Sequence, residues 1–96
     1  MSKMRAKQDV EKALVAKGFN CEKTDHNYFI YHTTDGKKSR IKTKTSFGHK
    51  PKDIAGDLLS AMARQCKLST DQFLQLVDCP LSRDLYEGLL SQGGHL

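Results

Sequence analysis

The sequence contains few residues of the kinds that hold a small protein together through covalent bonds or a metal. Its three cysteines, Cys21, Cys66 and Cys79, are odd in number, and no two of them form a Cys-x-x-Cys arrangement. No pair has the spacing of a zinc site, so the sequence predicts no metal site. Reduced thiols in a cytoplasmic protein are the simplest interpretation, with Cys66 acting as a small buried hydrophobic residue.

Long apolar runs are also missing. Residues 1–8 are basic, but no apolar segment follows them, so they do not predict a signal peptide. No run approaches the length of a membrane span. The chain has neither a glycine-rich phosphate loop nor a serine or cysteine nucleophile set beside a base. We therefore expect a cytoplasmic protein that does not enter a membrane and needs no cofactor.

What the sequence does contain is an excess of positive charge. Lysine and arginine number 16 against 11 aspartates and glutamates, which gives a formal net charge of +5. The 96 residues suffice for one domain, and on so small a domain this balance favours an acidic partner. Such a partner could be nucleic acid, a membrane surface or an acidic protein. The charge could equally serve only to keep a small protein soluble.

Helical periodicity appears on both sides of the middle of the chain. Apolar residues at three- and four-residue spacing predict helices over about 3–17 and 52–67. Gly18 can adopt the left-handed backbone that ends the first helix. Ser69-Thr70-Asp71-Gln72 has the form of a capping box and predicts a short third helix. Ser82 can cap a last helix, which forms a C-terminal extension over about 80–92.

Three strand-like segments, over 19–24, 28–33 and 38–45, lie between the two long helices. The Asp35-Gly36 pair favours a two-residue type I′ turn, which sets the register of the last two strands. This register places Ile30 opposite Ile41 on a core face, together with Tyr28, His32, Ser39 and Thr43. It places an aromatic and basic set on the reverse face: Phe29, Tyr31, Arg40, Lys42 and Lys44.

The order α-β-β-β-α predicts an α+β two-layer domain with a three-stranded antiparallel sheet. The whole chain, 1–96, is expected to form this single domain. Its core would span about 3–77, and the C-terminal helices would be added to that core.

Two histidines are candidates for chemistry. His26 lies just before the central strand, and His49 lies in the basic loop that also carries Lys50 and Lys52. Histidine can act as general base or acid on a ribose 2′-hydroxyl near neutral pH. The loop precedes a helix N-terminus, whose free N–H groups favour a phosphate. The alternatives are an inert histidine and an ordinary loop of solvated lysines. His32, facing the predicted core, and His95, in the tail, are not candidates.

Several segments together resemble a known family. They are Lys17-Gly18-Phe19 at a helix end, His26 to Phe29, the Asp35-Gly36 hairpin, Ile41-x-Thr43, and a run from His49 through Lys52-Asp53-Ile54-Ala55-Gly56 to Lys67-Leu68-Ser69. In this order, over about residues 8–77, they resemble the HicA-type mRNA interferase toxins. The family usually has Gly-Ser before its histidine, where this chain has Thr24-Asp25. The carboxylate of Asp25 could repel phosphate or orient the imidazole.

The resemblance implies a fold like the double-stranded RNA-binding domain and a metal-independent endoribonuclease that acts on mRNA. It implies that His26 is the catalytic histidine and that a HicB-like antitoxin is the partner. The expected RNA-binding residues are Phe29, Tyr31, Arg40, Lys42, Lys44, His49, Lys50 and Lys52. The alternative is a non-catalytic RNA-binding or protein-interaction module of the same fold.

Overall fold

Short helices and strands make up the fold, which the computed structural model describes over residues 4–45, 53–78 and 80–96. In chain order they are β1 (Met4–Ala6), α1 (Lys7–Ala16), β2 (Phe19–Lys23), β3 (Asn27–His32), β4 (Lys38–Thr45), β5 (Asp53–Ala55), α2 (Gly56–Gln65), α3 (Thr70–Asp78) and α4 (Arg83–Gln92). Within these ranges, none of the helices has the length and apolar character needed to cross a membrane.

Strands β2, β3 and β4 form an antiparallel sheet in that order. The helices and one side of this sheet bury a continuous set of apolar side chains. The predicted α+β class with a three-stranded antiparallel sheet is therefore confirmed. The predicted starts of the two long helices are wrong, because β1 and β5 pair with each other where helix was expected, with Arg5 opposite Ile54.

The predicted register of β3 and β4 is wrong by one residue, and the hairpin loop is the cause. Thr33 N–H donates to the Lys37 carbonyl at 2.8 Å, so the loop has three residues instead of two. Gly36 N–H donates back to the Thr33 carbonyl at 2.9 Å, and Gly36 has a φ of 88°. This is a type I turn followed by a left-handed glycine, whereas a type I′ turn would need a positive φ at Asp35 as well.

A β-bulge between Ile30 and His32 then moves the pairing by two residues, from His32 with Lys38 on the loop side to Ile30 with Lys42 beyond it, and so keeps the faces that the loop sets. The Ser39 hydroxyl stabilises the bulge by donating to the Tyr31 carbonyl at 2.6 Å and accepting from Ile41 N–H at 3.1 Å. Beyond the bulge Phe29 pairs with Thr43, where Lys42 was predicted. The predicted faces of β4 are correct, but those of β3 are inverted.

The uncovered side of the sheet is called the open face here. Its side chains, which follow from the strand pairings, are Asn20, Glu22, Tyr28, Ile30, His32, Lys38, Arg40, Lys42 and Lys44. Phe29 and Tyr31, predicted to lie on this side, are instead 2% and 0% exposed in the core.

Helix α4 contributes to that core. The Tyr86 ring lies 5.2 Å from that of Tyr31 and 5.9 Å from that of Phe19. The Tyr86 hydroxyl donates to the Cys66 carbonyl at 2.8 Å, and burial raises the pKa of Tyr86. Leu90 of the same helix is fully buried. The residues after α3 therefore complete the core beneath the first strand of the sheet.

The predicted helix ends are confirmed where local sequence determines them. Ser69 and Gln72 form the reciprocal capping box, with bonds of 3.0 and 3.1 Å. Ser82 caps α4 by accepting from Leu85 N–H at 3.2 Å. Gly18 has a φ of 103°, a backbone conformation that favours glycine, and a Cβ there would lie 2.6 Å from Arg83 Nε, so the Arg83 side chain would have to move.

Candidate functional site

A row of cations runs along β4 on the open face. Lys38, Arg40, Lys42 and Lys44 occupy alternate positions and are all exposed. Alternate strand residues point to the same side, about 6.6–6.8 Å apart. Lys38 has a partner, since its Nζ lies 3.9 Å from Glu22 Oε1. Within the described ranges no carboxylate pairs with the other three, so their charges are available to an anionic ligand.

Tyr28 provides the aromatic surface beside this row. It pairs with Lys44 across the sheet, and Lys42 Nζ lies 5.9 Å from its ring centroid. The Tyr28 hydroxyl donates to Asp25 Oδ1 at 3.4 Å. Sequence reasoning placed Tyr28 in the core, because it assumed a two-residue loop. A three-residue loop, counted from Gly36 as the left-handed residue, identifies Tyr28 as the ring beside the lysines.

The rings of Phe29 and Tyr31, which were predicted to bind RNA, are buried and therefore cannot stack on a base. Phe29 packs under the helices, and so does Tyr31, whose hydroxyl donates to Glu87 Oε1 at 2.7 Å. Arg40, Lys42 and Lys44 do lie on the open face as predicted, and their RNA-binding role stays a prediction. His49, Lys50 and Lys52 lie outside the described residues.

His26 lies in the β2–β3 turn, beside Tyr28. The two ring centroids are 5.9 Å apart, and the His26 side chain is 39% exposed. Its Nδ1 is enclosed by protein and lies 3.4 Å from Asp25 Oδ2. Since Nδ1 is closed to solvent, Nε2 is the ring nitrogen that a ligand could reach.

Asp25 holds a negative charge next to this imidazole. The Thr24 hydroxyl donates to Asp25 Oδ1 at 3.0 Å, and this bond is the main cause that lowers the pKa of Asp25. His26 lowers it further through hydrogen bonding and charge. An ionised Asp25 places a negative charge near any phosphate that approaches His26.

The other histidines differ in their surroundings. His32 lies half-buried on the open face instead of in the predicted core, with Nδ1 3.0 Å from the Ile30 carbonyl. His95 is exposed and lines a hollow of about 710 Å³ between the hairpin loop and the end of α4, together with Arg40 and Glu87.

Two shallow hollows share Tyr28 and Lys42 as a common border. One, of about 530 Å³, extends over the open face and includes Ile30 and Arg40. The other, of about 380 Å³, lies at the β4 edge and is lined by Tyr28, Lys42, Thr43, Lys44 and Gln65. Gln65, the last residue of α2, was not predicted as a site residue, because sequence alone does not bring α2 to this edge.

Within the described ranges, no group of three histidine, cysteine or acidic side chains could hold a metal ion. The fold and these surroundings define an α+β protein with a basic, partly aromatic open sheet face. Comparison with protein-family models, curated proteins and solved structures gives no match to this chain.

Proposed function

We propose that this protein binds single-stranded RNA across the open face and cleaves it without a metal ion, with His26 as the acid–base residue. The observation that carries the proposal is the line of three cations, Arg40, Lys42 and Lys44, beside the accessible ring of Tyr28; none of the three pairs with a carboxylate of the described residues.

The binding step follows from this combination of groups. Cations spaced along one strand can meet successive phosphates of an extended nucleic acid strand. An aromatic ring beside them can stack on an unpaired base, which a duplex would not present. Tyr28 has the base-stacking role that was predicted for Phe29 and Tyr31.

The cleavage step needs a proton acceptor near the bound ribose. His26 Nε2 would take the proton from the 2′-hydroxyl, whose oxygen then attacks the adjacent phosphorus and displaces the 5′-oxygen. The His26 imidazolium then returns this proton to the displaced 5′-oxygen, and the products are a 2′,3′-cyclic phosphate and a free 5′-hydroxyl. Asp25, 3.4 Å from Nδ1, would stabilise the imidazolium formed in the first step.

The biological form of the proposal is a HicA-like toxin that acts on mRNA in the cytoplasm and is held inactive by a HicB-like antitoxin. The helix, three-strand, helix order supports it, and so does the position of His26 just before β3. A fold like the double-stranded RNA-binding domain is part of this proposal. Co-expression of a small protein encoded beside it should relieve any growth arrest that it causes.

A second candidate is a non-catalytic RNA-binding module that uses the same face. The ionised Asp25 favours this reading, because its carboxylate repels the phosphate that must approach His26. The two candidates agree on the binding surface and differ only in chemistry.

The binding surface is tested by changing Arg40, Lys42 and Lys44 together to glutamine. RNA affinity should fall roughly tenfold or more at low salt, and the slope of log K against log salt should flatten by about 2 units. The control makes the same residue changes at Lys12, Lys23 and Arg64, which are exposed away from the open face. Equal losses in both variants would place the RNA site elsewhere.

The chemistry is tested by RNA cleavage in the presence of EDTA. We expect His26→Ala to lower the cleavage rate by about 10²–10⁴-fold and to abolish growth arrest, with RNA affinity unchanged. His95→Ala serves as the matched control and should cleave as wild type does. If wild type cuts no RNA under EDTA, or if His26→Ala cuts equally well, the catalytic assignment is wrong and the binding module remains.

A further inference from the structure

The hollow at the β4 edge has the features of a subsite for a single base. The Tyr28 ring and the side chains of Lys42, Lys44 and Gln65 line it together with Thr43. Gln65 is exposed at the end of α2, which packs beside β4. A flat group stacked on Tyr28 would therefore have its edge directed toward side chains with polar ends.

The hydrogen bond from Thr43 determines which end of the Gln65 amide faces a ligand. Thr43 Oγ1 donates to Gln65 Oε1 at 2.6 Å, and Thr43 itself is buried. With Oε1 held by this buried hydroxyl, the Nε2 group is turned away from it. Within the described ranges Nε2 has no hydrogen-bond acceptor, so its two N–H groups are available to the hollow.

The charged groups of the hollow are donors as well. The ammonium groups of Lys42 and Lys44 donate hydrogen bonds and cannot accept them. A ligand edge that presents a carbonyl oxygen to Gln65 Nε2 or to either lysine would satisfy these donors, whereas an amino group in the same place would meet N–H groups and stay unpaired. A polar group that loses its water on binding and finds no hydrogen-bond partner lowers affinity more than the simple absence of a hydrogen bond does.

We infer that this hollow binds one base of the RNA strand, stacked on Tyr28, and that it prefers the keto bases uracil and guanine to the amino bases cytosine and adenine. Gln65 is the specificity-determining residue. The inference rests on the proposed RNA binding and adds a base preference to it. It does not depend on whether His26 cleaves the strand.

Uracil and cytosine provide the sharpest comparison, because the two rings have the same size and stack in the same way. They differ at position 4, where uracil has a carbonyl oxygen and cytosine an amino group, and at position 3, where uracil has an N–H donor and cytosine an acceptor nitrogen. Short 2′-O-methyl oligonucleotides of uridine and of cytidine lack the 2′-hydroxyl, so they measure binding without cleavage. Wild type should bind the uridine oligonucleotide about fivefold more tightly, as one net hydrogen bond predicts.

The decisive variant is Gln65→Glu, which keeps the oxygen that accepts from Thr43 and removes the N–H donors. It should weaken binding of both oligonucleotides through its charge and abolish the uridine preference. Gln75→Glu, which adds the same charge at an exposed position of α3, should keep the preference of wild type.

The possible outcomes distinguish a failure of the base preference from a failure of RNA binding itself. A uridine preference that is lost in Gln65→Glu and retained in Gln75→Glu supports the subsite. Equal binding of the two oligonucleotides by wild type, or a preference unchanged in Gln65→Glu, overturns the base preference and leaves RNA binding standing. If wild type binds neither oligonucleotide, the subsite and the RNA-binding proposal both fall.

Discussion

At the scale of single residues, Tyr31 and Glu87 connect the sheet to α4. The Tyr31 hydroxyl donates to Glu87 Oε1 at 2.7 Å, and the same carboxylate accepts from Thr34 N–H at 2.8 Å and from the Thr34 hydroxyl at 3.0 Å. Burial raises the pKa of Tyr31 to about 12. The Tyr31 hydrogen bond is the largest cause that lowers the pKa of Glu87. The proton therefore stays on the tyrosine, and the carboxylate stays charged.

Tyr31→Phe removes this bond without leaving a cavity, so we expect the free energy of unfolding to fall by about 1 kcal/mol. Tyr28→Phe is the matched control. It removes an exposed hydroxyl whose bond to Asp25 is 3.4 Å long, and it should change stability by less than about 0.5 kcal/mol. Denaturant titration of the two variants checks this. Equal losses of unfolding free energy in the two variants would show that the Tyr31–Glu87 hydrogen bond does not stabilise the fold.

The charge of Glu87 predicts a pH dependence of stability. A carboxylate whose pKa is lower in the folded state binds fewer protons there than in the unfolded chain. Its stabilising effect is present above the ordinary value of 4.5 and is lost as the pH falls through the lower, folded value. The stability difference between wild type and Glu87→Gln should therefore be full near neutral pH and shrink in acid. A difference that grows on acidification would contradict this assignment.

At the scale of elements, the β-bulge depends on one hydroxyl. At the bulge, the Ser39 hydroxyl donates to the Tyr31 carbonyl and accepts from Ile41 N–H, in place of regular hydrogen bonds between the strands. Ser39→Ala leaves these partly buried groups without that partner, so we expect a loss of about 1–3 kcal/mol and faster exchange of the Ile41 amide hydrogen. Ser91→Ala, at an exposed helix position, should change neither quantity. Unchanged exchange at Ile41 would mean that the bulge does not need Ser39.

At the scale of the whole molecule, α4 decides whether the core is complete. Leu81, Tyr86 and Leu90 are 8%, 0% and 0% exposed. Burial of three such side chains contributes about 5–8 kcal/mol, comparable with the whole stability of a small domain. A chain that ends at residue 80 should therefore lose its cooperative thermal transition. A chain that ends at residue 92 keeps these side chains and should melt as wild type does.

Local sequence determined the elements whose ends depend on neighbouring residues. The capping box at Ser69, the Ser82 cap and the left-handed Gly18 require only side chains or backbone within a few positions, and all three are present as predicted. The alternation of β4 likewise determined which of its residues are charged and exposed. Arg40, Lys42 and Lys44 could therefore be placed together from the sequence.

Only the tertiary structure decided which rings accompany those cations. One extra residue in the hairpin loop exchanges the faces of β3, because side chains alternate along a strand. Tyr31 then enters the core, where α4 supplies Tyr86 as a packing partner from 55 positions further along the chain. Tyr28 and Gln65 line the same hollow at the β4 edge because α2 packs against the sheet there. No local sequence pattern predicts a contact between residues so far apart in the chain.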